Sequence, residues 1–145
     1  MQTTVSPSSA MKPTQISWVL AADNPETLSR FYATVLGRPA VRGLSSQHWM
    51  LQSEDGARLE IYRPSRSRAF PDRGSALATC LRLEPALDPM QTLQTRLPAL
   101  LSAGAVVRDA PRREAFGAEV WLHDPEGNAL LIVVPKAAGA SIDGH

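Results

Sequence analysis

The segment GARLEIYRP at 56–64 returns, altered but legible, as GNALLIVVP at 127–135. Both begin at Gly, carry Leu fourth and Ile sixth, and stop at Pro. The same spacing sets Trp49 on Val120, Met50 on Trp121 and Leu51 on Leu122. It also sets Ser53-Glu54-Asp55-Gly56 on Asp124-Pro125-Glu126-Gly127. The second of these has Asp first, Pro second and Gly fourth, the pattern of a type I turn. Two apolar-alternating runs around such a turn predict a β-hairpin at the end of each half. A chain of 145 residues written twice must bury two copies of one unit against each other.

The halves also begin alike. Residues 15–22 (QISWVLAA) read as a strand, after which Asn24 is placed to cap a helix with Pro25 at its first position, where the missing donor costs nothing. Leu28, Phe31, Tyr32 and Val35 form one apolar stripe, and Gly37 closes the helix. In the second half ALATCLRL (76–83) is the strand, and Asp88-Pro89 opens the helix. Met90, Leu93, Leu97 and Leu100 are its stripe, and Gly104 ends it. Pro98 predicts a kink or a break into two short helices, because an interior proline removes one bond and crowds the preceding turn. The remaining strands are expected at 38–43, 47–53, 57–63, 105–109, 117–123 and 128–134. Each half is then strand–helix–strand–strand–strand. Module one is 14–64, module two is 76–135, and the Pro/Ser/Arg-rich stretch 65–75 links them into a single domain at 14–135. Residues 1–13 and 136–145 read as a disordered and a flexible tail.

Alternation along the strands assigns faces. Leu59 and Ile61 oppose Arg58, Glu60 and Tyr62. Trp49 and Leu51 oppose His48, Met50 and Gln52. Val120 and Leu122 oppose Glu119, Trp121 and His123, while Leu81 and Leu83 oppose Ala78, Cys80 and Arg82. One face is aliphatic and meets the helices. The other mixes polar, aromatic and titratable groups, and it faces either solvent or a ligand cleft. Trp121, Tyr62 and Met50 on that face favour the cleft.

Composition narrows the partners. The formal charge is +1, so the basic footprint of a nucleic-acid binder is missing. Five of the arginines fall within 58–73, as a solvated linker or an anion site. The single cysteine, Cys80, forms no internal disulfide. Residues 1–13 lack the basic start and apolar stretch of a secretory signal, and no run approaches the length of a membrane span. These features imply a cytoplasmic protein with neither nucleic acid nor membrane as partner.

A tandem of βαβββ units, with FYATVLG at 31–37 and FGAEVWLHDPEGNALLIVVP at 116–135, resembles the vicinal oxygen chelate superfamily: glyoxalases, bleomycin-binding proteins and extradiol dioxygenases. The resemblance covers roughly residues 14–135. It implies an α+β fold in which the tandem modules form a curved mixed sheet around a cleft, helices outside, and a homodimer. Metal enzymes of the family draw His and Glu ligands from the first and last strand of each unit. Those positions fall here on Ser17, Glu60, Ala78 (with Cys80 nearby) and Leu131. A zinc-like cation needs about three protein ligands even at an open site. The resemblance therefore implies no metal ligands and no cofactor, and a divalent metal is disfavoured. A rearranged set of His48, Glu60, Glu119 and His123 is the less favoured alternative.

The fold alone does not choose a function. Glu60 is the candidate catalytic residue, as general base, cation-binding group or acceptor for a ligand. The plain alternative is a solvated strand carboxylate, or one paired with Arg58 or Arg82. The candidate cleft is His48, Met50, Arg58, Glu60, Tyr62, Cys80, Glu119, Trp121 and His123, with Trp121 either a stacking platform or packed on a dimer partner. Cys80 is expected to be a small buried residue. Three readings follow. The first is a protein binding a small, partly aromatic molecule without the usual metal. The second is a lyase, isomerase or dioxygenase of the same superfamily, using Glu60 as base or displaced metal ligands. The third is an interaction module that kept only the scaffold.

Overall fold

The computed structural model describes residues 11–13, 15–67, 69–72 and 76–139. Its element order is the predicted one, written twice. Module one runs β1 (Ser17–Ala21), α1 (Pro25–Leu36), β2 (Val41–Arg42), β3 (His48–Gln52) and β4 (Arg58–Tyr62). Module two runs β5 (Thr79–Arg82), α2 (Pro89–Ala103), β6 (Val106–Glu114), β7 (Gly117–His123) and β8 (Ala129–Pro135). Each module folds into a four-stranded mixed sheet, with orders β1-β4-β3-β2 and β5-β8-β7-β6. The first strand lies parallel to the last, and the hairpins are antiparallel. The repeat is thus a repeat of topology and register: Glu60 pairs with Met50 and Val19, and Leu131 pairs with Trp121 and Cys80.

The punctuation residues act as their chemistry requires. The Asn24 side chain accepts the Thr27 amide, Pro25 follows, and Gly37 ends α1 at φ 65°. Asp88 accepts the Gln91 amide at the start of α2. Both hairpin turns close, with the Gly56 amide on the Ser53 carbonyl and the Gly127 amide on the Asp124 carbonyl. The helices bury the expected stripes, including Leu28, Phe31, Tyr32, Leu93 and Leu100, against Leu51, Leu59, Ile61, Val120, Leu122, Leu130 and Ile132. Leu59 and Ile61, like Val120 and Leu122, lie on the helix side, as alternation requires.

Three expectations change. Of the kink or break expected at Pro98, the break does not occur, and α2 runs through it as one helix. Pro98 is on the exposed side, so the Gln94 carbonyl that lost its partner can bond water. β2 shortens to two residues, whereas β6 continues five residues past 109 to Glu114, straight through Pro111. β6 is the outer strand of its sheet, where proline is tolerated. Register shifts between Val107 and Asp109 and between Asp109 and Arg112 absorb the mismatch and hide the strand's alternation. Bonding also extends past 135. The Lys136 amide meets the Phe116 carbonyl, and the Ala137 amide meets the Ala86 carbonyl. Of the expected tails, 1–13 and 136–145, the parts at 1–10 and 140–145 lie outside the described residues, as does part of the linker.

The modules join at a polar seam. Asp124, only 2% exposed, accepts the Tyr32 hydroxyl at 2.7 Å from α1 of the other module. Its other oxygen accepts the Glu126 and Asn128 amides, and Asn128 Nδ2 bonds both oxygens. Glu126 takes the Asp23 and Asn24 amides at 2.8 and 3.0 Å, satisfying donors at the start of α1.

Candidate functional site

The face turned away from the helices carries two clusters, one per module. In module one, β4 places Glu60 between β1 and β3. One carboxylate oxygen accepts the Ser17 hydroxyl at 2.9 Å, and the other lies 2.8 Å from Nε2 of His48. The side chains of His48 and Glu60 are 13% and 20% exposed, so the pair is shielded but reachable. The Ser17 hydroxyl bond is the main reason the Glu60 carboxyl sits below the ordinary carboxylate range. Partial burial opposes that shift, while His48 and the Arg58 charge support it. At neutral pH this group is an anion with a donor on each oxygen.

Met50 and Val19 flank Glu60 in register, and Tyr62 lies opposite His48. Tyr62 also lines a cavity of about 490 Å³ with Arg63, Pro64, Ser65, Ala69 and Pro71, where the linker leaves β4. Arg58 is beside Ser17 and Gln52. Of the two arginines anticipated near Glu60, Arg58 acts on it through its charge; Arg82 belongs to the other sheet, with its charge acting on Cys80.

In module two the equivalent row is Cys80, Leu131 and Trp121. Apolar surface stands where module one has its carboxylate. The Arg108 guanidinium lies 5.9 Å from the centre of the Trp121 ring. Glu119 approaches Arg112 at 3.8 Å, and half-buried His123 ends the strand. Cys80 is exposed, not buried as its type suggested, because β5 is an outer strand. Desolvation still raises its thiol pKa, with Arg82 opposing and Glu119 reinforcing the shift.

The structure thus brings Ser17, His48 and Glu60 together, but it does not add Glu119 or His123 to them. Among the described residues, no group of three or more His, Cys, Asp and Glu side chains is placed to hold a metal ion. At the four positions homologous to one another across the modules, the groups are Ser17, Glu60, Ala78 and Leu131, a single carboxylate among them. Sequence reasoning missed Gly43, Leu44, Arg108 and Arg112. The first two sit in an irregular loop, and the arginines follow the β6 register shifts, so no alternation pattern could point to them.

The profile of the glyoxalase-like domain matches residues 17–133, from the start of β1 into β8. The chain belongs to the glyoxalase-like domain family. It is thereby a member of the vicinal oxygen chelate superfamily. Solved structures agree on the fold. A lactoylglutathione lyase from Agrobacterium tumefaciens is 23% identical, with 85% of this chain and 95% of that one covered, at a TM-score of 0.61. A glyoxalase-related enzyme from Fulvimarina pelagi is 20% identical over 89% and 96%, with TM-score 0.64. A glyoxalase/bleomycin resistance protein from Albidiferax ferrireducens is 15% identical over 81% and 95%, with TM-score 0.61. No curated protein matches this sequence. No helix among the described residues is long and apolar enough to cross a membrane.

Proposed function

We propose that this glyoxalase-like protein binds a small, partly aromatic organic molecule against the polar faces of its two sheets, without the divalent metal of its family's enzymes. The observation that carries the reading is the donor set. One carboxylate with a serine, an alanine and a leucine does not fit a divalent cation, and both oxygens of that carboxylate already hold hydrogen-bond donors. What remains is the usual composition of a small-molecule site: apolar and aromatic area with a few fixed polar groups. Trp121, Met50 and Leu131 supply the area, and Glu60 with His48 supplies orientation. The enzyme reading with Glu60 as general base is less well supported. A base works best when its pKa lies near the working pH, and Glu60 is displaced the other way.

Elemental analysis of the purified protein, with thermal shifts in divalent metal salts, tests the metal claim; near-stoichiometric metal would overturn it. For a ligand found by thermal-shift screening of aromatic and heteroaromatic compounds, Trp121→Ala should weaken binding by about 1–3 kcal/mol, the worth of one large buried side chain. Glu60→Gln should leave most of the affinity for a neutral ligand. If the protein instead turns over that compound and Glu60→Gln costs about 100-fold in rate with binding kept, Glu60 is a base and the binding-protein reading is wrong.

A further inference from the structure

We propose that His48 is a positioning residue and not a base: the Leu44 amide holds its ring as the Nε2–H tautomer, and the ring in turn presents Glu60 as a fixed acceptor for an O–H or N–H group of the ligand. The argument is one of donors and acceptors. Nδ1 of His48 lies 2.8 Å from the Leu44 backbone nitrogen, whose proton points at it. A backbone amide can only donate, so Nδ1 must accept and carries no proton. The proton of the neutral ring is then on Nε2, which donates to Glu60 at 2.8 Å. An imidazolium would set two donors against each other at Nδ1, and the other neutral tautomer would set a lone pair against the carboxylate at Nε2. The assignment follows from the bonding network, as tautomers generally must.

The loop before β3 is shaped to hold this ring. The Gly43 amide bonds the His48 carbonyl at 2.7 Å, and the His48 amide bonds the Ser45 carbonyl at 3.2 Å. A Cβ at Gly43 would come within 2.2 Å of Nδ1, so the ring occupies the space a side chain would need. The groups that act on Glu60 come from every strand around it: Ser17 on β1, His48 on β3 and Arg58 on its own strand. All three favour the anion, so Glu60 stays the cluster's charged hydrogen-bond acceptor.

The claim about the ligand rests on the binding reading above. The tautomer does not, so the two can fail separately. The test is nitrogen NMR of histidine-labelled protein at about pH 8, where an ordinary histidine is neutral, with His48→Gln to assign the signals. The unmodified chain should show His48 with Nε2 protonated and Nδ1 bare; a protonated Nδ1 would overturn the proposal. Gly43→Ala should blur that single pattern while the circular dichroism stays native, and an unchanged pattern would count against the loop's role. Carboxyl-carbon titration should then show the Glu60 midpoint rising toward the ordinary range in His48→Ala but staying low in His48→Gln, whose amide can still donate. No change in His48→Ala would defeat the positioning role. Should His48→Ala not fold, the ring-nitrogen reading on the unmodified chain decides alone.

Discussion

Glu60 shows how one side chain acquires its character from three neighbours on three strands. Its type and strand position were legible in the chain, as was its sharing a face with His48. Its hydrogen bonds were not, because Ser17 lies 43 residues away and reaches it only through parallel pairing of β1 with β4. The depressed carboxyl has a consequence for stability. A group whose folded pKa lies below its unfolded value, about 4.3 for Glu, stabilises the fold fully above that value. The contribution disappears as pH falls through the folded pKa. Urea unfolding of the parent chain and of Glu60→Gln, followed from neutral pH into acid, should therefore show the parent's advantage shrinking below about pH 4.3. A gap that stays constant with pH would mean the carboxyl is not held down in the fold.

Among the elements, the β7–β8 hairpin leaves no room for a side chain at its first residue. Gly117 opens β7 at φ 150°, and a Cβ there would meet the Val134 carbonyl oxygen at 2.0 Å and the Pro135 Cα at 3.0 Å. Both obstacles are backbone, so the strands would have to part. Gly117→Ala should cost on the order of 3 kcal/mol or more in denaturant unfolding, combining a strained backbone with a clash no rotamer relieves. A loss under about 1 kcal/mol would show that the hairpin gives way easily. The helices were the most readable elements, since caps and stripes are local. β6 was the least, because its bulges break the two-residue period on which a strand is recognised.

The modules meet, among other contacts, through one that neither repeat predicts. Tyr32 is wholly buried, and burial first, then the Asp124 charge, raises its hydroxyl pKa far above the ordinary tyrosine value. It stays a neutral donor to a carboxylate that Asn128 also holds. Tyr32→Phe removes one of these bonds and should destabilise the fold by about 1–2 kcal/mol in thermal or urea unfolding. An unchanged stability would mean the seam is held by apolar packing alone. Beyond one chain, β1 and β5 are outer strands, and Trp18 and Val19 in β1 and Leu77 just before β5 are exposed. Such edges invite cover, and we expect a homodimer. Sedimentation at micromolar concentration should find a dimer, and a monomer alone would refute it.

The twofold repeat, the helix caps, the closing turns and the two faces of each sheet could all be read directly from the residues. The repeat shows as the same string read twice, and the rest depend on neighbours within a few positions or on strict alternation, which the order of residues carries. The passage of α2 through Pro98 depended on solvent at an exposed carbonyl. The partners of Glu60, the approach of Arg108 to Trp121 and the Tyr32–Asp124 seam depended on strands and modules meeting across 43, 13 and 92 residues of chain. No local pattern encodes such a meeting, because it exists only once the sheets have formed and the modules have packed.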